Sequence, residues 1–154
     1  MYRVAVTVPG EPSQAVLERL LEALTQANAE WYLEEWAAGR KPPCCASCGG
    51  VRYVPDQRGF GGIELVPAPE VFRRKEASCG PAAAIAAGEG RAKALQAGYP
   101  LESAMMHRVA LEPQGNGYWH AVYMSPYGRK DPTTKMQSGA STITQQYVKQ
   151  GRNR

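Results

Sequence analysis

An α+β fold is predicted by three features: an amphipathic helical stripe over residues 14–38, an alanine- and glycine-rich helical segment opening at Cys79, and strand-like runs separated by turn residues after Ala104. At 154 residues the chain has the length of one domain, enough to bury a core. With 44% hydrophobic and 21% charged residues, its composition is globular and excludes a wholly disordered, collagenous or fibrous chain. Lys and Arg number 18 against 14 acidic residues, a net charge of +4 with no long run of like charge, so no nucleic-acid partner is expected.

Tyr2, Val4, Val6 and Val8 alternate onto one side of an opening strand that breaks at Pro9-Gly10. No apolar signal segment follows Met1 and no stretch approaches the ~18 apolar residues of a membrane span, so a cytoplasmic protein without a membrane partner is expected. Ser13 stands where an N-cap belongs. Behind it Val16, Leu17, Leu20, Leu21, Leu24, Ala27 and Trp31 recur at three- and four-residue steps, predicting a helix from Gln14 to Ala38 that stops at Gly39. Trp31, Tyr32 and Trp36 put aromatic bulk near its end, for packing.

Residues 39–62 read as a Gly-, Pro- and Cys-rich connection with a short strand over Val51–Val54 and a turn over Gln57–Gly62. Ile63-Glu64-Leu65-Val66 is brief and leads through Pro67 and Pro69 to Val71-Phe72 and then to the polar segment Arg73-Arg74-Lys75-Glu76, with no element assigned there. From Cys79 to Ala97 a helix is predicted, with Pro81 in its first turn and Gly98 as its stop. Gly88 and Gly90 each cost about 1 kcal/mol there relative to Ala, which suits a thin helix face pressed against a sheet. Ala104–Glu112 and Tyr118–Met124 form a predicted antiparallel hairpin, and the Ser125-Pro126-Tyr127-Gly128 turn returns a third strand through Lys130 to Thr133. Residues 1–136 are assigned to one domain. Residues 137–154 are a polar, basic tail, disordered in part or adding an edge strand over Ser141–Val148.

Cys79 opens a helix, where backbone N–H groups and the positive end of the helix dipole favour thiolate over thiol. His120 lies on the hairpin strand, sharing a face with Tyr118, Val122 and Met124. If the second turn centres between Pro126 and Tyr127, Val122 lies opposite Asp131, and Asp131 takes the position diagonal to His120, roughly 7–8 Å away at Cα. A carboxylate there reaches an imidazole N–H, fixing the ring's tautomer while its other nitrogen serves a nucleophile.

The order Ser78-Cys79-Gly80 at a helix start, Trp119-His120-Ala121-Val122 on a strand and Asp131-Pro132-Thr133 after a turn resembles the core of the transglutaminase-like cysteine enzymes. Gly50-Val51-Arg52-Tyr53 ahead of the cysteine and Asp131 to Lys135 behind the histidine are similar to short phage and prophage members, and the resemblance covers about residues 50–135. It implies a papain-like core, with a cysteine-bearing helix packed on an antiparallel sheet, Cys79 as nucleophile, His120 as base and Asp131 as orienter. The implied activity is acyl transfer through a thioester, most simply hydrolysis of a protein or peptide substrate, with no required cofactor. Phage structural proteins are candidate partners, and the host cytoplasm or a virion the implied location. Gly80-Pro81 follows the cysteine where many short relatives carry an acidic residue. The alternatives are a peptidoglycan peptidase and a noncatalytic assembly protein that keeps the fold.

Cys44, Cys45 and Cys48 form a second cluster, and Cys45-x-x-Cys48-Gly49-Gly50 resembles half of a zinc knuckle. Three readings stand open: a zinc site whose fourth ligand is His107 or comes from a neighbouring subunit, oxidisable thiols, or a local disulfide. His107, expected within the first hairpin strand, otherwise reads as structural.

Overall fold

The computed structural model describes residues 4–10, 12–55, 63–115 and 119–137. The first element, β1 (Val6–Val8), pairs antiparallel with β3 (Ile63–Leu65). It is shorter than its alternation suggests: Val4 lies outside the strand, Tyr2 outside the described residues, and Val4 and Val6 are exposed. A three-residue strand with a single partner has one covered face, and Ile63 and Leu65 of β3 supply most of the burial.

Helix α1 (Gln14–Ala37) begins as expected, with the Val16 N–H donating to Ser13 Oγ. Its end is also as read, with Ala38 as C-cap and Gly39 at φ 78°, a left-handed conformation that glycine adopts without a Cβ penalty. The buried face is Leu17, Leu21, Leu24, Thr25, Asn28, Ala29 and Tyr32, rotated from the purely apolar stripe, so Val16 is exposed while Thr25 and Asn28 are fully buried. Each has its side-chain oxygen paired. Thr25 Oγ1 donates to the Leu21 carbonyl, and Asn28 Oδ1 accepts the Ala68 N–H at 2.9 Å. Trp31 packs edge-on to Tyr32 and tilts against Phe72, so the aromatic end of α1 serves packing.

Between Pro67 and Glu76, where the sequence suggested no element, the structure forms two. Ala68–Arg74 is a helix, α2, and Glu76–Ala77 is a short strand, β4, that pairs parallel with β2 (Arg52–Tyr53). Pro69 sits in the first turn of α2, where its missing N–H costs nothing, and Glu70 bonds both Arg73 and Arg74 one turn on. Lys75 ends the helix in the left-handed region at φ 63°.

Helix α3 (Cys79–Gln96) is the centre of the molecule, packed on α1 along one side and on the strands β5 (Arg108–Pro113) and β6 (Trp119–Ser125) along another. Glycine makes this possible. A Cβ on Gly88 would lie 2.6 Å from Asn28 Cβ and 3.0 Å from the backbone of Thr25 and Ala29, and one on Gly90 would strike the Tyr123 hydroxyl and the His107 ring. Ala82, Ala83, Ala84, Ile85 and Ala87 are fully buried between the two neighbours. Arg91 is also fully buried, its guanidinium gripping Glu22 with two bonds of 2.7 and 3.0 Å and also bonding Gln26 and the His107 carbonyl.

After α3 a short helix, α4 (Leu101–Ala104), ends on Ala104, the expected first residue of the first hairpin strand, and β5 starts only at Arg108, so His107 precedes it. The cause is local: Pro100 is the N-cap, and its carbonyl accepts the Ser103 and Ala104 N–H groups. Strands β5, β6 and β7 (Gly128–Lys130) form an antiparallel meander with Glu112 opposite His120 and Tyr123 opposite Lys130. The third strand ends at Lys130, earlier than the expected Thr133, because Pro132–Lys135 coils into a 3-10 turn. The architecture is thus α+β, with small sheets around two packed helices. The turn read over Gln57–Gly62 and the edge strand read over Ser141–Val148 lie outside the described residues.

Candidate functional site

Cys79 is the first residue of α3, behind the N-cap Ser78, and is partly buried. The opening N–H groups of a helix lack carbonyl partners one turn earlier, and Pro81 contributes none, which leaves the positive end of α3 at the Cys79 sulfur's own residue.

His120 and Asp131 are brought together directly. His120 Nε2 and Asp131 Oδ2 are 2.7 Å apart, with the two side chains 17% and 16% exposed, so the bond is shielded from most of the solvent. The register behind it is the one read from the turn: Ser125 lies opposite Gly128 and Tyr123 opposite Lys130, and Asp131 follows directly. With Nε2 donating to a carboxylate, the neutral ring carries its lone pair on Nδ1, the nitrogen a general base needs.

Thr133 holds the carboxylate in place, a role the sequence reading did not assign. Asp131 Oδ1 accepts the Thr133 N–H at 3.0 Å and the Thr133 hydroxyl at 2.7 Å, which leaves Oδ2 for the histidine. The signal was present, because an Asp two residues before a Thr at a proline-led turn is an N-cap pattern. Burial pushes the Asp131 carboxyl up, but the bonds from Thr133 and His120 outweigh it and hold the group below the usual carboxylate range. Across the sheet from His120, Glu112 could compete for the imidazole. Arg129 clamps it instead with two bonds of 2.6 Å and holds its carboxyl low.

Helix α3, which opens at Cys79, packs on β6 and on the Pro132–Lys135 turn, the elements that carry His120 and follow Asp131. Met136, just past that turn, belongs to the same buried cluster as Ala82 and Ile85, and the Gln137 carbonyl accepts the Tyr53 N–H at 2.7 Å. The chain just past Asp131 is therefore pinned to the cysteine helix through Met136 and to β2 through Gln137.

The second cysteine group is also real in space. The sulfurs of Cys44, Cys45 and Cys48 lie within 4.8 Å of one another, close enough to hold a metal ion. All four cysteines are thiols, and the separations of 3.0 Å for Cys45 and Cys48 and 3.3 Å for Cys44 and Cys48 are non-bonded. Burial pushes the Cys45 thiol up, yet hydrogen bonds from Cys48, Ser47 and the Cys48 N–H bring it net below the ordinary range. Its partner Cys48 is pushed up to about 12, first by that same shared bond and then by its bond with Cys44.

His107 joins neither group. Its Nδ1 meets the Tyr123 hydroxyl, the two rings stack with centroids 5.9 Å apart, and burial followed by the Arg91 charge holds its pKa below the usual value. Among the described residues, no helix is long and apolar enough to cross a membrane. No family model, curated protein or solved structure matches the chain.

Proposed function

We propose that the protein is a cysteine-dependent acyl-transfer enzyme of transglutaminase-like type, with Cys79 as nucleophile, His120 as base and Asp131 as orienter on a papain-like core. The bond between His120 Nε2 and Asp131 Oδ2, made on the strand against which the cysteine helix packs, carries this reading. His120 Nδ1 takes the Cys79 proton and the sulfur adds to an amide carbonyl carbon. The oxyanion collapses as His120 returns the proton to the leaving amine, and a thioester remains. Water, deprotonated by the same nitrogen, then attacks the thioester, releasing the carboxylic acid and restoring the thiol. The Cys79 N–H at the helix start is the first oxyanion donor.

The substrate class is a protein or peptide amide, and hydrolysis is the simpler outcome because no further element is needed to hold an amine acceptor. The reaction requires no cofactor. Zinc at the Cys44, Cys45 and Cys48 cluster would brace the loop ahead of β2 and take no part in acyl transfer. The deciding experiment is peptide-mapped labelling by a cysteine-directed electrophile at neutral pH, in the wild type and in His120→Ala. Rapid labelling of Cys79 that depends on His120 supports the enzyme. An apparent Cys79 pKa at or above ~8.5, the value of an unperturbed thiol, would leave a noncatalytic interaction protein as the better account.

A further inference from the structure

We infer that Cys44, Cys45 and Cys48 form a three-thiolate site for one zinc ion, with its fourth position open to a ligand from solution. This does not rest on the acyl-transfer reading, since no residue is shared with Cys79, His120 or Asp131.

The geometry is close to that of a loaded site. Zinc held at ~2.3 Å from each sulfur in a tetrahedron sets neighbouring sulfurs about 3.8 Å apart. The observed 3.0 and 3.3 Å, with all three atoms inside 4.8 Å, need shifts of under about 1 Å. A third thiol also discriminates between uses. Cys45 and Cys48 alone would suffice for a disulfide, whereas Cys44, placed 3.3 Å from Cys48, adds what a metal requires and a disulfide does not.

The loop is built to hold its sulfurs before any ion arrives. Ala46, between the cysteines, is fully buried, and the Val51 N–H closes the loop onto its carbonyl at 3.0 Å. The Tyr32 hydroxyl donates to the Pro43 carbonyl at 2.6 Å and Lys75 Nζ donates to the Gly49 carbonyl at 2.9 Å, anchoring both ends. Gly49 lies where a Cβ would fall 2.6 Å from the Phe72 ring, and Gly50 turns the chain at φ 70°. Inside the loop the Cys48 N–H and the Ser47 hydroxyl approach Cys45 Sγ at 3.4 and 3.2 Å, contacts that orient a metal-bound thiolate. Cys44 and Cys48 are exposed, which gives an ion a way in.

Among the described residues, no histidine, aspartate, glutamate or further cysteine joins the three within ligand reach, so His107 is not the fourth ligand. Loading exchanges the thiol protons for the ion: three Cys–SH groups and one Zn²⁺ give a zinc trithiolate of net charge −1 and three released protons. The fourth position then takes water or an added monodentate ligand.

The test uses the full chain, reduced and oxygen-free, as wild type and as Cys79→Ser. Each is loaded with Zn²⁺, desalted and assayed for metal per chain, and each is also titrated with Co²⁺ to read the thiolate-to-cobalt absorption band. One retained equivalent in both proteins is expected, together with a higher Tm on loading. Cys44→Ser and Cys48→Ser, conservative changes at exposed positions, should each remove about one third of the band per bound cobalt and weaken zinc by about tenfold or more. The inference is overturned if folded, reduced wild type retains no zinc, or if replacing all three cysteines by serine leaves uptake unchanged. Loss of the ion in Cys79→Ser would overturn it too, by placing Cys79 among the ligands.

Discussion

The chain contains two histidines, both beside the same hairpin, and their surroundings differ in one decisive respect. His107 meets a phenol, Tyr123, whose own pKa is pushed up to about 12 by burial and by Glu89, so the pair stays neutral. It also lies beside the buried Arg91, whose charge adds to burial in opposing protonation. His120 meets the ionised Asp131, which can stabilise an imidazolium and fixes which nitrogen stays basic. A histidine in the core of a small protein is by itself uninformative. The charge of its partner separates a packing group from a candidate base.

Removing His120 should therefore have the largest effect. His120→Ala is expected to slow Cys79 acylation by on the order of 10²–10⁴, the usual contribution of a general base, while His107→Ala leaves the rate within about tenfold and lowers Tm. Stopped-flow labelling with circular dichroism on both variants checks this, and equal losses of rate would erase the distinction. Next in size, Asp131→Asn keeps a group able to bond the ring but removes the charge. A rate loss of about 10–10³ with intact folding is expected, smaller than in a serine triad because a thiolate–imidazolium pair can form before substrate binds. Full retention of rate would strip the bond between His120 and Asp131 of catalytic meaning.

Much of this contrast was legible in the sequence. The Pro126-Tyr127 turn set the register that carries Asp131 to His120, because period-two alternation and a four-residue turn leave few alternatives. Helices α1 and α3 were readable to within a residue at their ends from Ser13, Gly39 and Gly98. What failed was short structure. Helix α2 was hidden behind Pro67 and Pro69, although Pro69 sits harmlessly in its first turn, and α4 went unread because four residues carry too little periodicity. Burial of Thr25, Asn28 and Arg91 was invisible too, since their partners lie 4, 40 and 69 residues away in the chain and only packing brings the distant ones together. The cysteine spacing announced a cluster, but the convergence of all three sulfurs depends on the buried Ala46 and on anchors from Tyr32 and Lys75.

Glycine at position 90 offers a third way to separate the histidines. Its missing Cβ is what lets the Tyr123 hydroxyl and the His107 ring close over α3. Gly90→Ala gains up to about 1 kcal/mol of helix propensity but forces both rings to move, an overpacking cost of typically 1–3 kcal/mol, so a net loss of stability is expected. Urea unfolding measures it. Because the clash falls on His107, labelling of Cys79 well below Tm should stay near the wild-type rate. A stability gain would mean that the rings yield freely and that the close approach of helix and hairpin is not a constraint.

The smallest effect is in the pH dependence, and its direction follows from the partners. His107 has a folded pKa below its ordinary value of ~6.5, so in that range the unfolded chain binds the proton more readily than the folded one. Its contribution to stability is complete above about pH 6.5 and declines as the pH falls toward the folded value. Asp131, also lowered, contributes above the unfolded carboxylate value of ~3.9 and loses its contribution only as the pH falls through its still lower folded pKa, in a separate and more acidic window. Chemical denaturation at intervals from pH 7.5 to 5 should therefore show a gentle fall in wild-type stability that His107→Gln flattens, since glutamine can accept the Tyr123 hydroxyl bond and does not titrate. An unchanged slope in His107→Gln would show that the proton taken up on unfolding belongs to another group, and the neutral histidine at Tyr123 would no longer stand as the counterpart of the charged pair at Asp131.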